Sequence, residues 1–457
     1  MIKASGDMIE MVKNRKRLLA LMCVGAIILC GCEKKVTLTG NAEEQETEEG
    51  LNTEERTIVI WEYERDVEGF GKALEELARR ASDTEINGRR YCVIAKAVPE
   101  ETYDTELMTA YVNQEAPDIV FGSPASPALY TGIGAVIDLP LETWMQEPDW
   151  ADGVSQKAYD FFVYRGMQCG LPVTQKGLGI IYNKEIFKYA GIESLPGTYE
   201  EWYEVCERLL DIGVTPWISG VEEIGVPDPD SLFYWAASNQ CEFWDGRERA
   251  ALDDPKCLEI WEFFRKNIEE GYLPEYALQI EEQAAQEYFL SGESAMYLGT
   301  YPEFVGENAE KYGVLPMIAG PSCQGEPNHP VVYQGYYCLR SNHDPDTLAV
   351  LKWWYENSSY LWEDYPCDRI PCSADVLESI SYEQPLYQEW IAENLDDSST
   401  VTYFYPRVTY PDYASELLEK GYLLDVLEAL YAGGTIEEGV QKANMEMDQL
   451  MEKYINR

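Results

Sequence analysis

GLPVTQKGLGIIYNKEIFKYAGI, Gly170 to Ile192, carries two local signals in succession. Leu178 to Tyr182 is a short apolar run of the kind that forms a buried strand. Asn183 follows at once, a residue whose side chain caps helix N-termini, and Gly191 closes the helical pattern that it opens. A strand leading directly into a well-capped helix is the unit of an α/β fold.

The same signals recur on both sides. In GTYEEWYEVCERLLDIG, Thr198 and Glu201 have capping-box spacing, and Trp202, Val205, Cys206, Leu209 and Leu210 form one apolar face ending at Gly213. Upstream, TIVIWEY reads as a strand and FGKALEELARRA as a helix, with Phe70, Leu74, Leu77 and Ala78 on its apolar side. YCVIAKAV is a second strand, Leu107 to Tyr111 is helical, and PDIVFGSP is a third strand stopped by Gly122 and Pro124. Strands alternating with helices predict a largely parallel sheet with crossovers. Downstream, EEQAAQEYFLSGESAMYLGTYPEF reads helix, glycine turn, strand, aromatic turn. YGVLPMIAGP and VVYQGYYCLRSN are further strands, and Pro345 opens the helix of PDTLAVLKWWYE. The final helix starts at Thr435, with Glu438 completing another capping box.

The N-terminus carries a different kind of signal. The apolar run Leu18 to Leu29 is too short for the roughly 20 residues of a spanning helix. Lys13, Arg15, Lys16 and Arg17 precede it and Gly31 and Cys32 close it, which is signal-peptide order. Asp7 and Glu10 do not suit such a segment, and a start at Met11 gives a cleaner one. Leu29-Cys30-Gly31-Cys32 resembles the bacterial lipobox, with Cys30 where Ala or Ser is usual. That resemblance implies that residues 1–31 are removed and that Cys32 carries a lipid, which anchors the chain on the outer face of the cell membrane. Residues 32–56 are acidic, polar and nearly free of aromatics, as expected of a disordered tether.

Lys and Arg number 35 against 82 Asp and Glu, a net charge of −47, which argues against nucleic acid as a partner. Beyond Cys32 the cysteines are odd in number. Those in YCVIA and YYCLR read as buried thiols, and Cys367 with Cys372 reads as a disulfide across Pro371. The two histidines, His329 and His343, lie in polar turns away from any nucleophile motif, and no metal-ligand or cofactor motif occurs. The expectation is therefore no enzyme, no metal and no cofactor. A glycoside hydrolase working through two carboxylates is the alternative.

APDIVFGSP, GAVIDL, the Gly170–Ile192 stretch with its Thr-x-x-Glu helix, FLSGESAMYLGTYPEF, YGVLPMIAGP and VVYQGYYCLRSNHDPDTLAVLKWW, in that order, resemble the extracellular solute-binding lipoproteins of bacterial ABC importers. The matches run from about residue 57 to the end of the chain. The resemblance, which includes the maltodextrin- and oligosaccharide-binding proteins, implies a two-lobe periplasmic-binding-protein-like α/β fold with three inter-lobe crossings. Carried over by segment, lobe 1 is 57–171 with 301–332 and lobe 2 is 178–297 with 338–457. The crossings then fall near 171–177, 297–301 and 331–337. Glycines 177, 179, 299 and 335 sit there either as hinge residues or to allow close packing.

The implied function is capture of a small neutral solute, a mono- or oligosaccharide, in the inter-lobe cleft for delivery to permease subunits. A surface sensor or adhesin with the same fold is the second alternative. Sugars call for aromatic plates and planar polar partners. The positions that supply them are Trp61, Glu62, Tyr63, Gly122, Ser123, Thr174, Gln175, Lys176, Trp235, Tyr301, Gln334 and Tyr336. Asp118 reads first as a structural contact.

Overall fold

The computed structural model describes residues 56–65, 68–122, 138–147, 150, 153–164, 166–220, 230–245, 249–278, 280–300, 309–339, 344–363, 370–379, 385–395, 400–402, 413, 416–417 and 420–455. The strands are β1 (Arg56–Tyr63), β2 (Tyr91–Val98), β3 (Ile119–Gly122), β4 (Val163–Tyr164), β5 (Met167–Gln168), β6 (Gly170–Gly177), β7 (Gly179–Asn183), β8 (Thr215–Ser219), β9 (Ser294–Gly299), β10 (Tyr312–Val314), β11 (His329–Cys338), β12 (Ile370–Pro371) and β13 (Thr400–Thr402). They build two main sheets. The first has the order β12-β6-β11-β3-β1-β2 with β13 on β11; the second is β10-β7-β9-β8; β4 and β5 form a separate hairpin.

β1, β2 and β3 are parallel, as the strand–helix alternation predicts, with Ile60 opposite both Ala95 and Ile119. β11 runs antiparallel to β3 and to β6 in the middle of the first sheet. In the second sheet β8 and β9 are parallel, while β7 is antiparallel to β9 and to β10.

The local signals hold at the helix ends. The Asn183 side chain accepts from the amides of Glu185 and Ile186 at 3.0 and 3.2 Å, and Gly191 takes a φ of +69° two residues beyond the helix Lys184–Tyr189. Thr198 Oγ1 accepts from Glu201 N at 3.3 Å, whereas the Glu201 carboxylate reaches Gly197 N at 2.8 Å, one residue earlier than in a standard capping box. Along that helix Trp202, Val205, Cys206 and Leu209 are buried, but Leu210 is 38% exposed because it lies at the margin of the stripe. Asp118 is structural: its carboxylate accepts from Val59 N at 2.9 Å and ties β3 to β1.

The expected partition of the chain needs correction. Residues 301–332 do not all join the first sheet: Tyr312–Val314 pairs with Ile181–Asn183 in the second, and the amides of Ala319, Gly320 and Asn328 bond to Gly197, Ser238 and Ala237. Residues 338–457 do not all join the second either. The helix Pro345–Asn357 packs on β11, and its cap residue Asp344 pairs with Arg56 at the start of β1. β12 then pairs with β6 and β13 with β11. Among the described residues, the helix Pro385–Asn394 packs on β10 and β7, and the two C-terminal helices, Tyr422–Tyr431 and Ile436–Ile455, pack on the helix Pro255–Glu269. Apolar runs such as YGVLP satisfy either sheet locally, so their destination is set by pairing partners distant in sequence.

A disulfide joins Cys241 to Cys257, with Cα atoms 5.4 Å apart, pinning the loop after the helix Asp230–Ser238 to the start of the helix Pro255–Glu269. This pair was not anticipated. Cys367, half of the expected pair, lies outside the described residues.

Candidate functional site

Among the described residues, the two sheets meet where β6 passes into β7. β6 ends at Gly177, Leu178 is fully buried, and β7 begins at Gly179. Gly179 is paired with Gly299, so β9 ends beside the start of β7. β11 opens here too, with Val331 opposite Gly177 and Leu178 N donating to Pro330 O. The C-terminal ends of β6, β8 and β9 therefore converge at this junction. Strand C-termini beside a change of sheet are where open α/β folds leave a crevice for ligands.

Glycine makes room for close approach at the junction, against side chains at three positions and against backbone at Gly335. None of Gly177, Gly179, Gly299 and Gly335 has a positive φ. A Cβ on Gly179 would fall 2.5 Å from the side-chain oxygen of Asn394, and one on Gly177 would lie 3.0 Å from Leu395. At Gly335 it would collide with the Leu171 carbonyl oxygen, and at Gly299 with the Tyr297 hydroxyl. Of the two roles left open by the sequence, this is the packing one.

The first-sheet residues singled out from the sequence fall into two groups. Thr174, Gln175 and Lys176 lie on β6 opposite Gln334, Tyr333 and Val332 of β11, and Gly122 lies opposite Gly335. Gln175 and Lys176 are half-buried, and Gln175 Nε2 approaches Pro371 O at 3.4 Å. Thr174 and Gln334 face each other, both buried, and neither Thr174 Oγ1 nor Gln334 Oε1 has a hydrogen-bond partner among the described residues. The second group belongs to the interior. Glu62 and Tyr336 are 1% and 0% exposed, and the Tyr336 hydroxyl donates to the Glu62 carboxylate. Burial, with that carboxylate adjoining, holds the Tyr336 phenol far above its usual ionisation range. Trp61 and Tyr63 pack edge-to-face against Tyr103 at 6.1 and 4.5 Å, and Lys96 lies 4.5 Å above the Trp61 ring.

The Trp235 ring belongs to the interior. It is fully buried in a cluster with Phe263, Trp202 and Trp217, with ring centroids 4.1, 5.0 and 6.0 Å away, the core alternative for an aromatic on a helical stripe. Ser123, Tyr301 and Cys32 lie outside the described residues.

One group at the junction was missed. Glu282 opens the helix Glu282–Leu290, and one of its carboxylate oxygens accepts from Tyr297 Oη and from Thr300 Oγ1, both at 2.7 Å. Gln286 Nε2, one turn along, donates to the same tyrosine hydroxyl at 3.2 Å. In sequence Glu282 is one acid among 82, and no local pattern distinguishes it.

The profile of the bacterial extracellular solute-binding proteins matches residues 95–359, more than half of the chain and strands of both sheets. The chain belongs to this family. Among curated relatives, a binding protein of Brucella abortus is 25% identical over 166 residues, which are 35% of this chain and 40% of that protein. The chain thus spans less than half the length of that relative. The maltotriose-binding protein of Pyrococcus abyssi is 24% identical over 337 residues, 70% of this chain and 67% of that one. The crystal structure of a sugar transporter from Arthrobacter chlorophenolicus with bound laminaribiose superposes with a TM-score of 0.68, at 14% identity, over 86% of this chain and 99% of that one. The two-lobe α/β fold of such binding proteins is the fold of this chain.

In this member of the solute-binding family, a separate cavity of about 360 Å³ adjoins the first sheet, with Trp150, Tyr355, Trp362, Pro172, Pro371 and Asp375 in its lining. None of its described lining residues belongs to the second sheet. Among the described residues, no group of three or more His, Cys, Asp or Glu is placed to hold a metal ion. No described helix is long and apolar enough to cross a membrane.

Proposed function

We propose that this solute-binding protein captures a neutral carbohydrate, a mono- or oligosaccharide, between its two sheets and hands it to the permease subunits of an ABC importer. The observation that carries this reading is the family match across residues 95–359, which takes in β3, β6, β7, β9 and β11 around the junction. The maltotriose-binding relative and the laminaribiose-bound structure support the carbohydrate class. In this reading the protein acts by differential affinity for its closed state and catalyses nothing. A lipid on Cys32 holds it at the outer face of the membrane, and residues 32–55, up to the start of β1 at Arg56, are its tether.

Isothermal titration of the purified chain with maltotriose and laminaribiose tests the central claim. Saturable binding of a sugar supports it, and the bound sugar raises the unfolding temperature by mass action. Binding of an amino acid or peptide but no sugar, or release of reducing sugar from glycans, overturns it. Intact-mass analysis of the membrane-extracted protein is expected to show diacylglycerol on Cys32; a freely secreted, unmodified chain refutes the anchor.

A further inference from the structure

We propose that Glu282, at the start of the helix packed against the ends of β8 and β9, is the residue that selects uncharged, hydroxyl-bearing solutes and rejects anionic ones. This rests on the carbohydrate reading above and names a determinant within the same site.

Two buried hydroxyls hold the carboxylate. Tyr297 and Thr300 are buried, at 0% and 3% exposure, and both direct their hydroxyls at one oxygen of Glu282. Two glycines make the mount possible. A Cβ on Gly220, just after β8, would fall 2.5 Å from the Glu282 Cα, and a Cβ on Gly299 would displace the Tyr297 hydroxyl. The first turn of the helix Glu282–Leu290 is thereby brought against the ends of both β8 and β9. Because Gly299 pairs with Gly179, that position is the junction of the two sheets.

Two donors on one oxygen fix the plane of the carboxylate. Its other oxygen accepts no hydrogen bond from any described residue, and no described Lys or Arg forms an ion pair with Glu282. The group is half-buried and acceptor-only when ionised. A sugar hydroxyl donates to it in a charge-assisted hydrogen bond. A uronate or sugar phosphate meets a fixed like charge, so the attraction and the exclusion come from the same group.

The test is titration of the wild type, Glu282→Gln and Tyr297→Phe with maltotriose, laminaribiose and digalacturonate, with unfolding midpoints measured on the ligand-free proteins. Glu282→Gln is expected to lower affinity for the neutral sugar roughly ten-fold and to narrow the gap between neutral sugar and digalacturonate. Tyr297→Phe keeps the charge, so it is expected to weaken neutral-sugar binding about three-fold while leaving the rejection of digalacturonate intact. A wild type that binds the neutral sugar, with Glu282→Gln unchanged in affinity and selectivity, overturns this inference and leaves the carbohydrate reading standing. A wild type that binds an amino acid or peptide and no sugar overturns both.

Discussion

The hydroxyl of Tyr336 on β11 donates to the carboxylate of Glu62 at the end of β1, passing over β3 inside the first sheet. Both groups are buried, in a medium that penalises bare polar atoms, so losing this hydrogen bond is costly. Tyr336→Phe is expected to destabilise the protein by about 2 kcal/mol, the usual range for losing a hydrogen bond to a charged group. A lower urea midpoint at unchanged m-value is the signature. An unchanged midpoint would show that the carboxylate is adequately served by its other neighbours.

Alkaline pH is expected to destabilise the protein through its buried phenols. Burial raises the ionisation of Tyr199, Tyr234 and Tyr336 above the ordinary value. Above pH of about 10 the unfolded chain loses these protons while the folded chain keeps them. The unfolded state then binds fewer protons, so stability, full below pH 10, falls as pH rises through the interval between unfolded and folded values. Tyrosinate absorbance at high pH should therefore include a fraction that appears only with the loss of tertiary structure.

The Cys241–Cys257 disulfide closes a loop with a sequence separation of 16 residues. Replacing both cysteines by alanine is expected to cost about 3 kcal/mol by restoring freedom to the unfolded chain. Thermal unfolding of the double variant with and without reductant checks this. A wild type whose midpoint does not move on full reduction would contradict it.

Thr174 is fully buried, and its hydroxyl has no partner among the described residues. Thr174→Val keeps the shape and removes the polar atom, so it is expected to raise stability by about 1 kcal/mol. The same change reports on function. If this hydroxyl serves the solute, sugar affinity falls while the ligand-free protein becomes more stable, a combination that simple structural damage does not produce.

Much of the junction's character came from residues with weak local signatures. The carboxylates of Glu62 and Glu282 look alike in sequence, yet one bonds inside the first sheet and the other lies half-buried where two strands end. Trp235 sits on a helical stripe that could face a core or a cleft, and only its packing on Phe263 and Trp202 distinguishes the two.

The sequence by itself determined the local punctuation: the Asn183 and Thr198 caps, the turn at Gly191, the parallel β1–β3 unit and the resemblance to solute-binding proteins. These depend on contacts within a few residues and on hydrophobic period, which a single chain displays directly. Tertiary structure alone decided that β10 pairs with β7, that β12 pairs with β6, and what lies against the four junction glycines. An apolar strand buried on both faces carries no mark of its partner, and a glycine carries no mark of what lies against it. Both are fixed by residues far away in the chain, whose placement is a property of the whole fold.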